Sequence, residues 1–556
     1  MLMPAVRPLE QFASVRDFLI KAAQDHGHKT AFSIWDGTAW NTINFIELKE
    51  RAFETAKALR RAGVKPGTIA VFLGENSIEW VTHFFGVLLN GGVIVPLDVK
   101  LTETELRNIV HHAEPKIILA SPNMLPAARR LRAGFSEECK VLQFQTRHPS
   151  WPGLPELPEP ALTRQSLGVI CYTSGTLGNP KGVRVRVDTL LFESEAVSRI
   201  DTRKHLGAVM FCMVPMTHLY GLTAGMIYSI VCGYEMCFAH ALEAEQILKC
   251  LVERKVTQVI TVPLFLKVIK QAIERKVREQ GKWPVFNFML KLCSVLPIPW
   301  LRKKLFKQIH DRYGGNLRRF VVGGSSLDPA IFDFYNAMEL PVFEGYGLTE
   351  TGPIITVNSE ESRRRGTVGK PLPGVEVRIA FEKHGDETGE IQTRGPHVME
   401  GYHKDKALTA EVTTKDGWFR TGDLGFIDKG GFLHVTGRAK ALIVLQSGKK
   451  VHPEEVEAAL GGSTRIKDVC VLGLAAQAGS MMGETVVAVV QPTEEILRTT
   501  NFAELEASLK AEVQQLALKL VDFKRPTRIV IRDKPFVLTS TQKVKRDTLI
   551  RELTTK

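Results

Sequence analysis

The segment Tyr172–Val183, YTSGTLGNPKGV, brings hydroxyl groups, glycines and a lysine together within a few residues. The groups belong to Thr173, Ser174, Gly175, Thr176, Gly178 and Lys181. Because glycine permits turns in which several backbone N–H groups converge, and the hydroxyls and the ammonium add donors, such a loop can hold a polyphosphate. It lacks the Gly-Lys-Ser/Thr ending of a Walker loop, and a flexible turn has a similar composition.

Three other segments carry side chains that suit a nucleotide or its substrate. Tyr346 stands between glycines after the apolar strand Val342–Phe343, on a loop where its ring could lie on a purine or cover the core. Asp423 could accept hydrogen bonds from both ribose hydroxyls or form an Asx turn. His218, in PMTHLYG, is flanked by apolar residues and suits either a core position or a pocket wall.

A basic run near the C-terminus contains Lys543, Lys545 and Arg546. Such runs are usually solvated faces, so the pattern alone assigns Lys543 no role.

Strand-like and helix-like segments alternate through the first part of the chain, which predicts parallel sheets covered by helices. The predicted elements are the strands Thr68–Leu73, Gly92–Leu97, Lys116–Ala120 and Leu167–Tyr172, and the helices Ile78–Leu89 and Thr102–Ala113. Residues 148–160 are rich in proline and are predicted to form an extended linker.

Beyond Gly437 the pattern shortens and predicts a small α+β domain. Its predicted elements are the strands Ala441–Leu445, Val469–Leu472 and Thr485–Gln491, and the helices Pro453–Leu460 and Phe502–Leu516. The fold class is therefore α/β, with a large N-terminal domain of parallel-rich sheets and a small C-terminal domain.

Bulk properties narrow the class of protein. A chain of 556 residues is too long for a single hydrophobic core, so two or more domains are expected. Its net charge of +13 suits an anionic ligand, an acidic membrane surface or nucleic acid. No nucleic-acid-binding motif supports the last of these. Eight cysteines without close pairs, no signal-peptide pattern and no bilayer-spanning apolar stretch predict a cytoplasmic protein. A homodimer and peripheral contact with the inner membrane face stay open.

Seven segments occur in the same order as the motifs of the adenylate-forming superfamily, which the chain therefore resembles. This superfamily comprises acyl-CoA synthetases, firefly-type luciferases and the adenylation domains of peptide synthetases. The segments are TSGTLGNPKG (residues 173–182), PMTHLYG (215–221), GGSSL (323–327), YGLTE (346–350), GWFRTGDLG (417–425), GRAK (437–440) and TQKVKR (541–546). The resemblance covers nearly the whole chain. It implies an adenylation domain, residues 1–437, and a mobile domain, residues 438–556, with a hinge at Lys440.

The resemblance also implies site residues. Tyr346 would stack on adenine beside the Gly324–Ser325 backbone, and Thr349 would bond the α-phosphate. Glu350 and Thr176 would hold Mg²⁺, and His218 would line the acid pocket. Asp423 would bind ribose with support from Arg438, and Lys543 would swing into the site. The other nucleotide-binding positions are Thr173, Ser174, Gly175, Gly178, Lys181, Glu344, Gly345 and Gly347.

The implied activity is that of an acyl-CoA synthetase, which uses ATP, Mg²⁺ and coenzyme A. A carboxylic acid and ATP would give acyl-AMP and pyrophosphate, and the CoA thiol would then displace AMP. The attacking acid is already ionised, so the barrier is charge repulsion and positioning.

The chain departs from the superfamily pattern at several positions. Leu177 replaces a hydroxyl residue, and Val187 replaces a common His after the phosphate loop. Ala441 and Val444 stand where an Asp and a second Lys are usual, and Gln542 replaces the Gly before the catalytic Lys. Val444 puts in doubt how the thioester-forming step is assisted.

The segment Gln271–Gln308 is informative about which carboxylic acid is the substrate. It carries nine Lys or Arg against two Glu, with Trp283, Phe286, Phe288, Trp300 and Phe306 interleaved, and resembles the extra basic segment of long-chain fatty acid ligases. Such a stretch can lie on an anionic membrane, and it can equally be an ordinary surface helix pair. The His218 motif also lacks the Asp with which amino-acid-activating domains pair a substrate amine. A long-chain fatty acid is therefore predicted.

Three alternatives remain. One is transfer of the acyl group to a carrier protein instead of CoA. Another is a medium-chain, aryl-acid or β-lactone-forming member of the fold. The third is a non-catalytic protein that keeps the nucleotide pocket, against which the joint presence of Thr176, Glu350, Asp423 and Lys543 argues.

Overall fold

A computed structural model describes most of the chain. The described residues are 12–133, 135, 139–145, 163–173, 180–201, 208–239, 242–383, 386–447, 449–461, 463, 465–475, 484–538 and 544–554. They form two compact units, residues 1–377 with 393–419 and residues 378–392 with 420–556. The predicted domains, residues 1–437 and 438–556, have a different boundary. The units differ from them because strand residues within 378–392 and 420–438 belong to one sheet. Whether 438–556 moves about Lys440 stays a prediction.

The first unit contains two mainly parallel sheets. One has the strands, in spatial order, Lys370–Pro371, Thr356–Val357, Val342–Tyr346, Arg319–Val322, Gln258–Thr261, Val209–Cys212, Glu235–Ala239, Thr30–Trp35 and Trp40–Asn44. The other has Gly401–Tyr402, Lys181–Arg186, Leu167–Thr173, Val93–Leu97, Ile69–Leu73, Ile117–Ala120 and Lys140–Gln143. Antiparallel pairs occur only toward the sheet margins among the described strands.

Helices cover these sheets, as the alternation predicts. They are Val15–His26, Phe45–Ala62, Ile78–Leu89, Glu103–Ala113, Leu125–Arg132, Val187–Ile200, Tyr228–Cys232, Ala244–Glu253, Pro263–Glu279, Trp283–Val295, Pro299–Leu305, Lys307–Arg312, Pro329–Ala337 and Lys406–Glu411. The helix Ile78–Leu89 is buried almost throughout, and its N-cap Ser77 accepts a hydrogen bond from the Trp80 N–H. A π-helix spans Tyr220–Ile227, and a 3₁₀ turn spans Thr349–Thr351.

The second unit is smaller and mainly antiparallel. Its strands lie within Glu376–Ala380, Gly389–Arg394, Phe419–Ile427, Leu433–Arg438, Ile443–Val444, Lys450–Val451, Ile466–Ala475, Glu484–Pro492 and Arg528–Ile531, the first three extending by a few residues into the first unit's ranges. Its helices are Pro453–Leu460, Glu494–Thr499, Phe502–Ala517 and Arg546–Thr554, with 3₁₀ turns at Ala439–Ala441 and Asp522–Lys524. Its core packs the helix Phe502–Ala517 against the strand Glu484–Pro492.

The strand predicted at Ala441–Leu445 is shorter than expected: only Ile443–Val444 forms a strand, and Ala441 ends the 3₁₀ turn Ala439–Ala441. The linker predicted at residues 148–160 lies outside the described residues.

Candidate functional site

The two ends of the predicted phosphate loop are held together by a strand pair. Thr173 ends the strand Leu167–Thr173, Lys181 begins the strand Lys181–Arg186, and the two residues are partners in the antiparallel register. The loop therefore joins the two arms of a hairpin. Ser174, Gly175, Thr176 and Gly178 lie outside the described residues.

Three predicted motifs follow parallel strands of one sheet. The segments 215–221, 323–327 and 346–350 come after strands that end at Cys212, Val322 and Tyr346. The strand Gln258–Thr261 lies between the strands that end at Cys212 and Val322. The strands that end at Val322 and Tyr346 are direct neighbours. The carboxyl edge of parallel strands is where ligands of open α/β sheets bind, and the three motifs lie at that edge.

Tyr346 is the last residue of the strand Val342–Tyr346, where the sequence predicted a loop position. The strand continues because Gly345 and Tyr346 pair with the return strand Thr356–Val357. After it, Gly347 is obligatory, since a Cβ there would collide with the carbonyl oxygen of Pro353. Tyr346 itself is only partly buried.

Glu344, two residues earlier on the same strand, is 7% exposed. Burial raises the pKa of its carboxyl to about 8, although the Leu327 N–H acts in the opposite direction. The contact with Leu327 connects this carboxyl to the neighbouring GGSSL segment. In that segment Gly324 has a φ of +90°, and both Gly324 and Ser325 are exposed. These residues therefore offer backbone groups to a ligand at the same edge.

Glu350 lies in the 3₁₀ turn Thr349–Thr351 and is tied to the phosphate-loop hairpin. Its Oε1 accepts a 2.8 Å hydrogen bond from the Tyr402 hydroxyl, and Tyr402 pairs with Val183 on the hairpin's second arm. Burial and the Glu350 carboxylate raise the pKa of Tyr402, which keeps the hydroxyl a donor. Thr349 and Glu350 thus lie on a segment whose position relative to the hairpin is held.

The carboxylate of Glu350 suits Mg²⁺, because this ion prefers hard oxygen ligands and takes few from protein. Within the described part of the chain, its Oε2 has no hydrogen-bond partner. The same described residues contain no group of three or more His, Cys, Asp or Glu side chains able to hold a metal. Glu350 therefore suits a Mg²⁺ ion that also takes ligands from phosphate oxygens.

His218 faces Asp98, a residue that the sequence reasoning did not single out. His218 Nε2 and Asp98 Oδ2 are 3.7 Å apart, an electrostatic approach longer than a hydrogen bond. Burial acts to raise the pKa of Asp98, but His218 and the Lys100 N–H outweigh it and hold that pKa below its ordinary value. His218 is therefore a charge-facing residue at the sheet edge and not a fully enclosed core histidine.

The π-helix after His218 is anchored on the sheet. The Tyr220 hydroxyl donates to the carbonyl oxygens of Thr261, at 3.3 Å, and Val321, at 3.2 Å. Tyr220 also lies directly behind Gly323. The segment with His218 and the GGSSL segment are therefore positioned against one another.

The second unit carries the remaining predicted site residues. Asp423 is 4% exposed, and its Oδ1 forms an ion pair with Arg438 Nε at 2.7 Å. The two residues are partners on adjacent antiparallel strands. Lys440 is exposed in the turn Ala439–Ala441. Lys543 lies outside the described residues, but Leu538 and Val544 on either side of it form an antiparallel bridge.

Three residues that position predicted motifs were missed: Asn76, which contacts Met216 in the His218 motif, Asp98, which faces His218, and Tyr402, which contacts Glu350. Asn76 and Asp98 follow strands of the second sheet, and Tyr402 lies far beyond Glu350 in sequence. Polar residues directly after predicted parallel strands, as at Asp98, are a signal that could have found the first two. Nothing local marks Tyr402.

In the described residues, no helix is both long and apolar enough to cross a membrane.

Comparison with known proteins agrees with this arrangement. A long-chain-fatty-acid–CoA ligase of Mycobacterium bovis is 27% identical over 472 residues, covering 78% of this chain and 76% of the relative. An indoleacetate–CoA ligase of Aromatoleum aromaticum is 27% identical over 522 residues, covering 91% and 92%. ATP-bound MatB from Rhodopseudomonas palustris superimposes with a TM-score of 0.76 at 23% identity, covering 97% and 99%.

The similarity to MatB shows the fold, whereas the family is shown by a match of the sequence to a family model. Residues 19–403 match the model of the AMP-binding enzyme family, which is well over half of the chain. The chain therefore belongs to the AMP-binding enzymes and has the adenylate-forming fold that its motifs predict.

Proposed function

We propose that this protein is an AMP-forming fatty-acid–CoA ligase that activates long-chain acids. The observation that carries the proposal is the meeting of the segments with His218, Ser325, Tyr346 and Glu350 at one sheet edge. The Glu350 segment is held to the phosphate-loop hairpin. That arrangement suits a nucleotide whose α-phosphate lies near a bound carboxylate.

In this proposal the chain's residues act by binding and charge placement. Tyr346 stacks on adenine, Thr349 contacts the α-phosphate, and the Thr173–Lys181 loop holds the other phosphates. Asp423 and Arg438 bind the ribose. Glu350 and Thr176 hold Mg²⁺, which when bound neutralises phosphate charge. Lys543 approaches the α-phosphate, and rotation about Lys440 then exchanges the face of the C-terminal domain for thioester formation.

The long-chain assignment is supported by the Mycobacterium relative and by the surface of the basic segment Gln271–Gln308. Four apolar side chains there are strongly exposed: Val285 (63%), Phe288 (64%), Val295 (77%) and Trp300 (66%). Exposed lysines, Lys291, Lys303 and Lys304, lie among them. Exposed apolar side chains beside cations suit an anionic lipid surface, from which long-chain acids could be drawn.

Other residues of this segment have structural roles. Phe286 and Phe306 are buried in the core, and Arg278 lies over the Trp283 ring at 3.6 Å. Arg302 donates through Nε and Nη2 to the Cys293 carbonyl oxygen. The proposed membrane contact therefore rests on the exposed residues alone.

The argument against amino acids changes with the structure. The motif around His218 contains no Asp, yet Asp98 brings a carboxylate to His218 from a distant part of the chain. That carboxylate already faces His218 and the Lys100 N–H, so we retain a fatty acid as the proposed substrate. Amino acids belong in the test.

The test is pyrophosphate release from ATP and Mg²⁺ against a panel of acids, with and without CoA. Long-chain fatty acids should give the highest kcat/KM, and acyl-CoA should form only when CoA is present. Release with amino acids or aryl acids alone would refute the long-chain assignment. Release without acyl-CoA, together with acylation of a carrier protein, would favour the carrier-protein alternative. No release with any acid would support the non-catalytic alternative.

A further inference from the structure

Two loops of the second sheet hold the turn that contains His218. Asn76 follows the strand Ile69–Leu73, and its Oδ1 accepts a 3.1 Å hydrogen bond from the Met216 N–H. Asp98 follows the adjacent parallel strand Val93–Leu97 and faces His218. Two neighbouring strand ends of one sheet thus fix a turn at the edge of the other.

The Asp98 carboxylate is built to face the imidazole. Its Oδ1 accepts a 2.9 Å hydrogen bond from the Lys100 N–H, which leaves Oδ2 directed toward His218 Nε2. Its side chain is 9% exposed. His218 Nε2 is itself buried and has no hydrogen-bond partner in the described part of the chain, whereas the whole His218 side chain is 26% exposed. The ring therefore presents one nitrogen to a buried carboxylate and keeps an accessible portion.

We propose that Asp98 is a positioning residue that keeps a proton on His218 Nε2, so that Nδ1 accepts the CoA thiol proton during thioester formation. This inference rests on the proposed CoA ligase function. A carboxylate beside one ring nitrogen favours the tautomer protonated there and stabilises the imidazolium that proton uptake creates.

The step balances without any further reactant. The thiol proton passes to His218 Nδ1, and the sulfur attacks the carbonyl carbon of the acyl-adenylate. A C–S bond forms, the bond from that carbon to the phosphate oxygen breaks, and AMP leaves with the electron pair. The adenylation step needs no such acceptor, because the acid enters as a carboxylate. Asp98 should therefore matter mainly for the second half-reaction.

Lys100 acts on Asp98 through both its N–H and its positive charge, alongside the imidazole of His218. Asp98→Asn keeps an oxygen for the Lys100 N–H and removes the charge. It therefore changes the electrostatics at His218 with little change in the turn.

The experiment measures the two half-reactions separately in the full-length protein. Single-turnover acyl-AMP formation should stay near the wild-type rate in Asp98→Asn, whereas transfer of preformed adenylate to CoA should slow by roughly 10- to 100-fold. The pH profile of transfer should also differ from that of wild type, because the charge beside the imidazole has been removed. In a His218→Ala background, Asp98→Asn should have no further effect on transfer.

Asn76→Ala is the control, since it disturbs the same turn without changing the charge beside His218. It should leave the pH profile of transfer in place. The inference is overturned if Asp98→Asn transfers like wild type, if it slows transfer equally in the His218→Ala background, or if Asn76→Ala shifts the profile as well. If wild type forms no acyl-adenylate from any acid, the proposed function has failed instead, and with it the basis of the inference.

Discussion

The hydroxyl of Tyr402 donates a 2.8 Å hydrogen bond to Oε1 of Glu350, joining residues that stand far apart in sequence. Tyr402 also pairs with Val183 in the strand that leaves the phosphate loop. The Met399 N–H donates to the Glu350 carbonyl oxygen, at 2.9 Å, so the turn is held at two atoms. The proposed metal ligand is therefore positioned by the same hairpin that carries the proposed phosphate loop.

Tyr402→Phe should weaken Mg²⁺ binding during adenylation without unfolding the protein. Loss of a hydrogen bond to a carboxylate frees the Glu350 side chain to rotate, and about tenfold lower kcat corresponds to roughly 1.4 kcal/mol of barrier. The measurement is pyrophosphate release as a function of Mg²⁺ concentration, with a higher half-saturating Mg²⁺ expected. Tyr335→Phe is the matched control, because its buried hydroxyl donates to the Leu266 carbonyl oxygen away from the site. An unchanged Mg²⁺ dependence in Tyr402→Phe would contradict the prediction.

Lys543→Ala should reduce acyl-AMP formation by about 100-fold or more, since a cation approaching the α-phosphate acts most strongly on the transition state. The segment's flanks are held independently: the Lys545 N–H donates to the Val537 carbonyl oxygen, and Arg546 contacts Glu454 and Glu457. Far-UV circular dichroism should therefore be unchanged. Lys545→Ala serves as the neighbouring control and should adenylate at close to the wild-type rate. Normal adenylation in Lys543→Ala would remove this lysine from the mechanism.

Lys440→Pro should separate the half-reactions. Lys440 is exposed in a short turn, and proline fixes φ near −65° and removes an N–H there. A single arrangement of the chain at the hinge should then dominate, so that acyl-AMP still forms while transfer to CoA fails. Lys440→Ala, which keeps backbone freedom, should retain both steps. Equal loss of both steps in the proline variant would make the residue structural.

The buried Glu344 should make stability depend on pH. Its pKa is about 8 in the folded chain against an ordinary value of 4.5. Below 4.5 both states hold the proton, and between the two values only the folded state does, so the free energy of unfolding falls as pH rises through this window. Glu344→Gln removes this dependence, and its Tm relative to wild type should rise from pH 5 to pH 9. Glu361→Gln, at an exposed site, should show a constant difference. A constant difference for Glu344→Gln as well would contradict the raised pKa.

Vesicle binding tests the exposed face of the basic segment. The protein should co-sediment with phosphatidylglycerol vesicles at low salt and progressively less as salt rises, because each cation near the surface adds roughly 1 kcal/mol and is screened within about 10 Å. Changing Lys291, Lys303 and Lys304 to Gln should weaken binding, and so should Phe288→Ser with Trp300→Ser. Arg60, Lys65 and Lys415, exposed elsewhere, form the charge-matched control triple. No sedimentation of wild type at low salt would make this face an ordinary solvated surface.

Local pattern was enough for much of the fold. The helices Ile78–Leu89 and Pro453–Leu460 match their predicted bounds, and the predicted strands of the second sheet are correct within one residue at either end. These elements have regular apolar spacing and clear caps or glycines at their ends. The strand predicted at Ala441–Leu445 was placed too long, because the β-prone run Leu442–Leu445 directly follows Ala441, which belongs to the 3₁₀ turn Ala439–Ala441.

The site was only partly predictable, for a physical reason. Motifs marked the segments that contain Tyr346, Glu350 and His218, but the groups that orient them come from other strands. Asp98 reaches His218, and Tyr402 reaches Glu350, only after the sheets have formed. Such contacts depend on strand order, which spacing along the chain does not encode.

The pairing of Thr30–Trp35 with Glu235–Ala239 has a consequence for biosynthesis. At about 5–20 residues per second, a ribosome needs roughly 10–40 seconds to extend the chain from the first strand to the second. During that interval the early hairpin of Thr30–Trp35 and Trp40–Asn44 has an open edge where its parallel partner will later bind. Nascent chains that end before Glu235 therefore expose an aggregation-prone strand edge, so yield in cells should depend on chaperones that cover it.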